Sequence, residues 1–474
     1  MRVFTHTTGL PAAQCGMTII RERVMLGLVV ICPKAGAPTS VTAASVKTIF
    51  TPMLLYTLTG GRVDRRNHVW MVYPSRPDFR GLSVVSFAHG VSDFYSGVVP
   101  FTIFLVLGRH HVSPAYQGAF VFLWYLTSSI VQPLFGAYTD RRGRWWFLPS
   151  AVAVTVTALS FAAATPSLAT LAACIIAGGI GSAVMHPEAG KYSAMLSGAR
   201  RASGISIFQV GGQIGYALGP AAIAVLFAHL GPSGSLWLFA PGALAVVALF
   251  VLMPRVDRAA AHAHAGLAVH STSAPAQAVD HVGVSLLVAG TALRYFVTAA
   301  FMTYLPNYLV AHGTTIPQAG QIVSAFLLIS SVGLLAGGSL ADRFGAVRVC
   351  VIALVGAVPF LYGFFTAPSG YGIVALLLAG VLLAVQNAPG VTLVQTMLPK
   401  NLGMALGLMN GVAFGIGSGL VALLGLVVAS AGPGVALQSV SAMPLLAALV
   451  YRIVAPRVAG TEQPVIAAAH RAAG

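Results

Sequence analysis

Charged residues disappear from this chain for long stretches. No Asp, Glu, Lys or Arg occurs from Trp145 to Pro187, Ala202 to Pro254, Tyr295 to Ala341, Val349 to Pro399 or Asn401 to Tyr451. A helix crossing the hydrocarbon of a bilayer needs about 20 mostly apolar residues, so each gap accommodates two crossings and a tight turn. The turns stand where Gly, Pro and Ser cluster, near Thr165, His229, Ala311, Thr366 and Ser430. Gly81 to Gly108, interrupted only by Asp93, and Ala115 to Thr139 supply two more crossings, which predicts twelve spans. Backbone groups in lipid must be satisfied within their own segment, so the spans are expected to be α-helices.

Composition agrees with a membrane protein. Hydrophobic residues make up 57%, charged residues only 8%, and the mean hydropathy is +0.85, where a soluble domain carries roughly 25% charged residues. The net charge of +16 has a topological origin. Of the 26 Lys and Arg, all but Arg109 and Arg294 precede the first span, follow the last, or fall in connections on one side of the membrane. The positive-inside rule therefore puts both termini in the cytoplasm. A nucleic-acid footprint would gather basic residues on one soluble face with motif support, and the sequence has none.

Residues 1–80 do not join this pattern. Their longest apolar run, Val24 to Cys32, is too short to span. They read either as a disordered cytoplasmic extension or as an upstream start assigned in error, with Met71 the alternative start. Cys15, Cys32, Cys174 and Cys350 show no paired spacing, which argues against a disulfide framework or a zinc site.

The rest is a duplicated unit. "GAYTDRRGR" at Gly136 returns as "GSLADRFGA" at Gly338, each after the second span of its half. Pro187 of "MHPE" matches Pro389 of "NAPG", and Gly211, Gly215 and Gly219 of the fifth span match Gly411, Gly415 and Gly419 of the eleventh. The expected organisation is a six-helix half at 81–253, a cytoplasmic linker rich in Ala and His at 254–282, a second half at 283–455 and a tail at 456–474.

Two six-helix halves with "GxxxDRxGR" loops resemble the major facilitator superfamily, whose halves rock about a central cavity. The resemblance implies an all-α integral membrane transporter and not an enzyme. It also implies that Gly136, Asp140, Arg141 and Arg144, with Gly338, Asp342 and Arg343 in the second copy, act as a gating loop. The second copy departs from the pattern at Ala346, where the first has Arg144. In the fifth span, "GGQIGYALGP" places a small residue every fourth position, which lets a neighbouring helix approach closely. Gly211, Gly215, Gly219 and Pro220 also resemble the antiporter motif of the superfamily's exporters.

Ionisable groups within the spans are few: His89 and Asp93 in the first, His186 and Glu188 in the fourth, Arg294 in the seventh. A charge at a helix centre costs about 2.5 to 3.5 kcal/mol on insertion scales, so such groups tend to face a cavity and to pair. His89 and Asp93 are four apart and share a helix face. Burial raises a carboxylate's proton affinity and a nearby cation lowers it, so a carboxyl in an alternating cavity can load and release a proton. Asp93 or Glu188 is therefore the expected proton carrier, with His89 and His186 as partners and Arg294 as counter-charge or anion ligand. Gln209 is a further cavity candidate. For Glu188 an ion pair with Lys191 at the helix end is the competing reading.

"FAHGVSDF", "MHPE" and "SIFQVGGQIGYALGP" together resemble the fosmidomycin resistance protein family, exporters of the bacterial inner membrane thought to exchange drug for protons. The resemblance implies proton-coupled efflux of a small molecule or drug, with a small-molecule substrate, protons and the lipid bilayer as partners, no cofactor, and compatibility with a monomer. A proton-coupled importer of a small metabolite shares the fold and the carboxylates. From other classes, a membrane acyltransferase would need a different His–Asp spacing and a catalytic loop, and a divalent-metal site could draw on His89, Asp93, His186 and Glu188.

Overall fold

The computed structural model describes residues 3–6, 16–22, 25–31, 77–197, 201–265, 279–367, 369–398 and 402–459. Val3–His6, Gly16–Glu22 and Met25–Ile31 pair as a three-stranded antiparallel sheet in chain order, with Thr18 opposite both Thr5 and Val29. This sheet lies in a unit of its own, Met1–Gly61. Most of the leading segment, the tail after 459 and linker residues 266–278 lie outside the described residues.

From residue 77 onward the described chain is helical. Among the described residues, ten segments are long and apolar enough to cross a membrane. Two of them, Ser206–His262 and Leu408–Val458, exceed one crossing and are broken internally. The first divides into Arg201–Leu230 and Phe239–Ala265 around a 3-10 turn, Gly231–Leu238. The second kinks at Gly432, whose φ of 81° suits a residue without a Cβ, continues as helix to Val440 and is followed by Met443–Ala459. Counted as two crossings each, they match the twelve predicted spans.

The duplication extends to the helix starts. Asp78 caps the first span, Phe79–Arg109, by accepting from the backbone N–H of Arg80 and Gly81. Asp280 caps the seventh, His281–Ala311, by accepting from Gly283 N–H at 2.9 Å, and is also paired with Arg457 at 3.0 Å. A capping carboxylate satisfies donors that the first helical turn leaves open. The sixth helix runs on to Ala265, so the linker begins as helix.

Three irregularities were not legible as charge or apolar pattern. The second span, Pro114–Thr139, contains a π-turn at Leu126–Ile130, and the eleventh contains another at Leu408–Val412. The tenth breaks at Gln386, between Ser369–Val385 and Asn387–Met397. The halves are joined by hydrogen bonds in the middle of the bundle and towards the end opposite the basic loops. Gly118 N–H donates to Tyr304 Oη (3.2 Å), Gln213 Nε2 to the Leu327 carbonyl (3.2 Å) and Ala221 N–H to Ser324 Oγ (2.9 Å).

Candidate functional site

The first and fourth spans bring His89, Asp93 and His186 together. His89 Nε2 lies 3.1 Å from Asp93 Oδ2, and His186 Nε2 lies 3.2 Å from Asp93 Oδ1. The opposite nitrogen of each ring is also engaged: His89 Nδ1 donates to the Phe208 carbonyl at 2.9 Å and His186 Nδ1 to the Ser182 carbonyl at 2.8 Å. The rings meet edge-on, 5.1 Å apart, and His89 stacks on Phe208 at 4.0 Å. Ligand atoms of the three residues lie within 4.8 Å of one another, a set able to take a divalent cation. Hydrogen bonding already accounts for the arrangement, since every nitrogen and both carboxylate oxygens have a partner.

The glycines of the fifth span make this cluster possible. A Cβ at Gly211 would run into the hydroxyl and backbone carbonyl of Ser86, at Gly215 into the Gly90 carbonyl, and at Gly219 into the backbone between Phe94 and Val98. The first and fifth helices therefore touch backbone to backbone, a contact only small residues permit. Gly212, on the same helix, leaves the space occupied by the His89 ring, and a Cβ there would strike it. Pro220 lies at the contact with the eighth span, Ile316–Phe344, where a Cβ at Gly320 would meet its carbonyl.

Glu188 stands apart from the cluster. It is 1% exposed and accepts from Lys191 Nζ at 2.8 Å, while its second oxygen is buried with no partner. Lys191 also reaches the Thr139 carbonyl at 3.5 Å, tying the fourth span to the end of the second. Gln209 is exposed. In the loops, Arg141, Arg144, Asp342 and Arg343 are exposed, and the Asp140 side chain lies outside what is described. Gly136 faces Pro187, and Gly338 lies beside Ala388, next to Pro389. The duplicated loop thus meets the corresponding helix in both halves.

Arg294 occupies the second half. It is buried, 3% exposed, in a nest of neutral acceptors: its Nε donates to Gln386 Oε1 at 3.0 Å and its Nη2 to Asn387 Oδ1. The guanidinium carbon lies 3.7 Å from the centre of the Tyr295 ring. Gln386 in turn donates to Thr291 Oγ1 (3.1 Å) and to Tyr451 Oη. Among the described residues no carboxylate pairs with Arg294. A buried cation without a counter-charge is costly, and such a site favours an anion.

An aromatic layer joins the halves near these two centres. Tyr125 and Tyr216 share a hydroxyl–hydroxyl bond of 2.9 Å, Phe414 packs against Tyr125 at 4.4 Å and Tyr295 at 4.3 Å, and Tyr295 Oη donates to Asn410 Oδ1 at 3.4 Å. Asn410 sits in the eleventh-span π-turn, and π-turns recur at functional sites. Sequence reasoning missed Gln386, Asn387, Asn410 and this layer. Neutral polar and aromatic residues are ordinary in helices, so only the three-dimensional neighbourhood marks them.

The family model for the Major Facilitator Superfamily matches residues 84–284 and 287–472. The chain is 30% identical over 357 residues to the fosmidomycin resistance protein of Escherichia coli (strain K12), covering 74% of this chain and 87% of that protein. It is 29% identical over 377 residues to the uncharacterized MFS-type transporter YfnC of Bacillus subtilis (strain 168), covering 78% and 91%. Among solved structures it is similar in fold to the inward-open xylose transporter XylE from E. coli, with a TM-score of 0.60, 16% identity and 79% and 95% of the two chains covered. The nucleoside transporter NupG gives a TM-score of 0.62 at 14% identity, covering 79% and 99%.

Proposed function

The chain belongs to the Major Facilitator Superfamily, and on that premise we propose that it exports a small anionic molecule of the phosphonate class in exchange for protons, by alternating access. The observation that carries the reading is the division of labour between halves. One half holds a carboxylate between two imidazoles, and the other holds a buried arginine with only neutral partners. A phosphonate suits Arg294 because a guanidinium offers paired donors to a tetrahedral anion. The likeness to a fosmidomycin resistance protein supports the same class.

In this reading the basic loops face the cytoplasm of a bacterial inner membrane, and the contacts between halves close the opposite side. Substrate enters from the cytoplasm, binds at Arg294 and is released outside after the halves rock. Asp93, with His89 and His186, loads protons outside and releases them inside. Asp140, Arg141, Arg144, Asp342 and Arg343 act in the loops that close the cytoplasmic side, and the Glu188–Lys191 pair braces the first of these loops.

The test is paired substrate and proton movement in inverted membrane vesicles, using a panel that includes fosmidomycin and comparing wild type with Asp93→Asn. Substrate entry with proton exit, uncoupled by the substitution, is the expected result. Exit of preloaded substrate together with protons would establish the importer instead. Movement of no panel member would remove the phosphonate assignment.

A further inference from the structure

The tautomers of the two histidines can be worked out from their partners. A backbone carbonyl only accepts hydrogen bonds, so Nδ1 of both His89 and His186 carries a proton. A neutral imidazole has one N–H. If both rings were neutral, each would therefore point a lone pair from Nε2 at an oxygen of Asp93, across 3.1 and 3.2 Å. An ionised carboxylate supplies no proton to either gap. Both contacts are attractive only when each gap holds a proton, whether as two imidazolium rings flanking a carboxylate or as one imidazolium and a carboxylic acid. The count is the same in both, and the protons belong to the group of three rather than to one residue.

We propose that the His89–Asp93–His186 cluster stores two protons in this conformation and that the exchangeable one leaves through His186. The inference rests on the proton-coupled reading above and supplies its count. The two rings differ in freedom. The His89 side chain is 6% exposed, stacked on Phe208 and backed by Gly212, whereas the His186 side chain is 27% exposed. Among the described residues, the other titratable groups facing Asp93 are the phenols of Tyr125 on the second span and Tyr216 on the fifth, bonded to each other. On the fourth span Glu188 is occupied by Lys191, and on the seventh Arg294 is occupied by Gln386 and Asn387. Release breaks the Nε2–H bond of His186, the proton passes to water, and the ring keeps the electron pair. The contact with Asp93 Oδ1 then becomes repulsive and opens, leaving one proton between His89 and Asp93. Proton loss thereby becomes a movement of the fourth span relative to the first.

Two measurements test this. In proteoliposomes at clamped membrane potential, the initial rate of fosmidomycin exchange should rise linearly with proton concentration on the loading side for wild type, since one of the two stored protons exchanges, and should lose that dependence in His186→Gln. In full-length protein labelled with nitrogen-15 histidine, the two rings are assigned from His89→Gln and His186→Gln. Both should show a protonated Nδ1, the pair should titrate in two steps, and the Nε2 proton of His186, the more exposed ring, should exchange with solvent the faster. An unprotonated Nδ1 on either ring, or a single titration step for the pair, overturns the two-proton store. Proton-coupled transport with one titration step for the pair, or with its proton dependence intact in His186→Gln, would sink the store and leave proton-coupled export standing. Two steps with pH-independent transport would do the reverse.

Discussion

Gly212→Ala isolates the packing that holds His89. The substitution adds one methyl group, which would fall on Cε1, Nε2 and Nδ1 of the His89 ring. The ring has little room to retreat, because Phe208 stacks on one face at 4.0 Å and both nitrogens are bonded. One response is for the first and fifth helices to separate, and overpacking of this kind costs about 1 to 3 kcal/mol. Their separation is opposed by the backbone contacts at Gly211, Gly215 and Gly219. The other response is for the ring to leave, forfeiting a bond to a carbonyl of about 0.5 to 1.5 kcal/mol and one to a charged group of about 1.5 to 3 kcal/mol. The routes are comparable, so the site should weaken by about 1 to 3 kcal/mol, or roughly 5- to 150-fold in the occupancy of the intact cluster. The assay is pH-driven transport in inverted vesicles beside thermal unfolding in detergent, with Gly190→Ala as control, since a Cβ there meets nothing within 4 Å. Coupling should fall in Gly212→Ala and persist in the control. A Gly212→Ala protein with wild-type coupling and wild-type unfolding temperature would refute the reasoning.

Three other outcomes follow from the described geometry. Arg294→Lys should raise the KM for an anionic substrate about tenfold and Arg294→Gln further, because an ammonium cannot reproduce the fork that reaches Gln386 and Asn387; equal KM values across the series would exclude an anion contact. Lys191→Met strands a buried carboxylate whose second oxygen already lacks a partner. It should lower stability by up to about 3 to 5 kcal/mol, and adding Glu188→Gln should restore most of the loss in thermal unfolding. The Gly283 N–H, and then Arg457, hold the Asp280 carboxyl below its ordinary range. Its contribution is thus present above the unfolded pKa and lost as pH falls through the depressed folded value. The gap in unfolding temperature between wild type and Arg457→Gln should close in acid; a gap constant with pH would show that the pair does not couple to folding.

Much of the fold was legible because lipid makes it so. Long charge-free gaps have only one stable backbone solution in a bilayer, and the duplicated loop motif announces two halves. The candidate site was legible in part for the same reason. Charge is rare in such a chain, so His89, Asp93, His186, Glu188 and Arg294 stand out by their presence alone. Their grouping did not follow from it. Glu188 is two residues from His186, yet it turns to Lys191, and Asp93 takes the two histidines.

The sequence by itself determined the membrane class, the helical spans, the duplication and the short roster of ionisable groups, because each depends on local composition and on the expense of placing polar groups in hydrocarbon. Only the tertiary structure decided which of those groups meet. Backbone contact between the first and fifth helices sets His89 against Asp93, the fourth helix brings His186 to the other oxygen, and the break at Gln386 wraps Arg294 in neutral acceptors. These are distances between residues far apart in the chain, set by how closely glycine faces allow helices to approach.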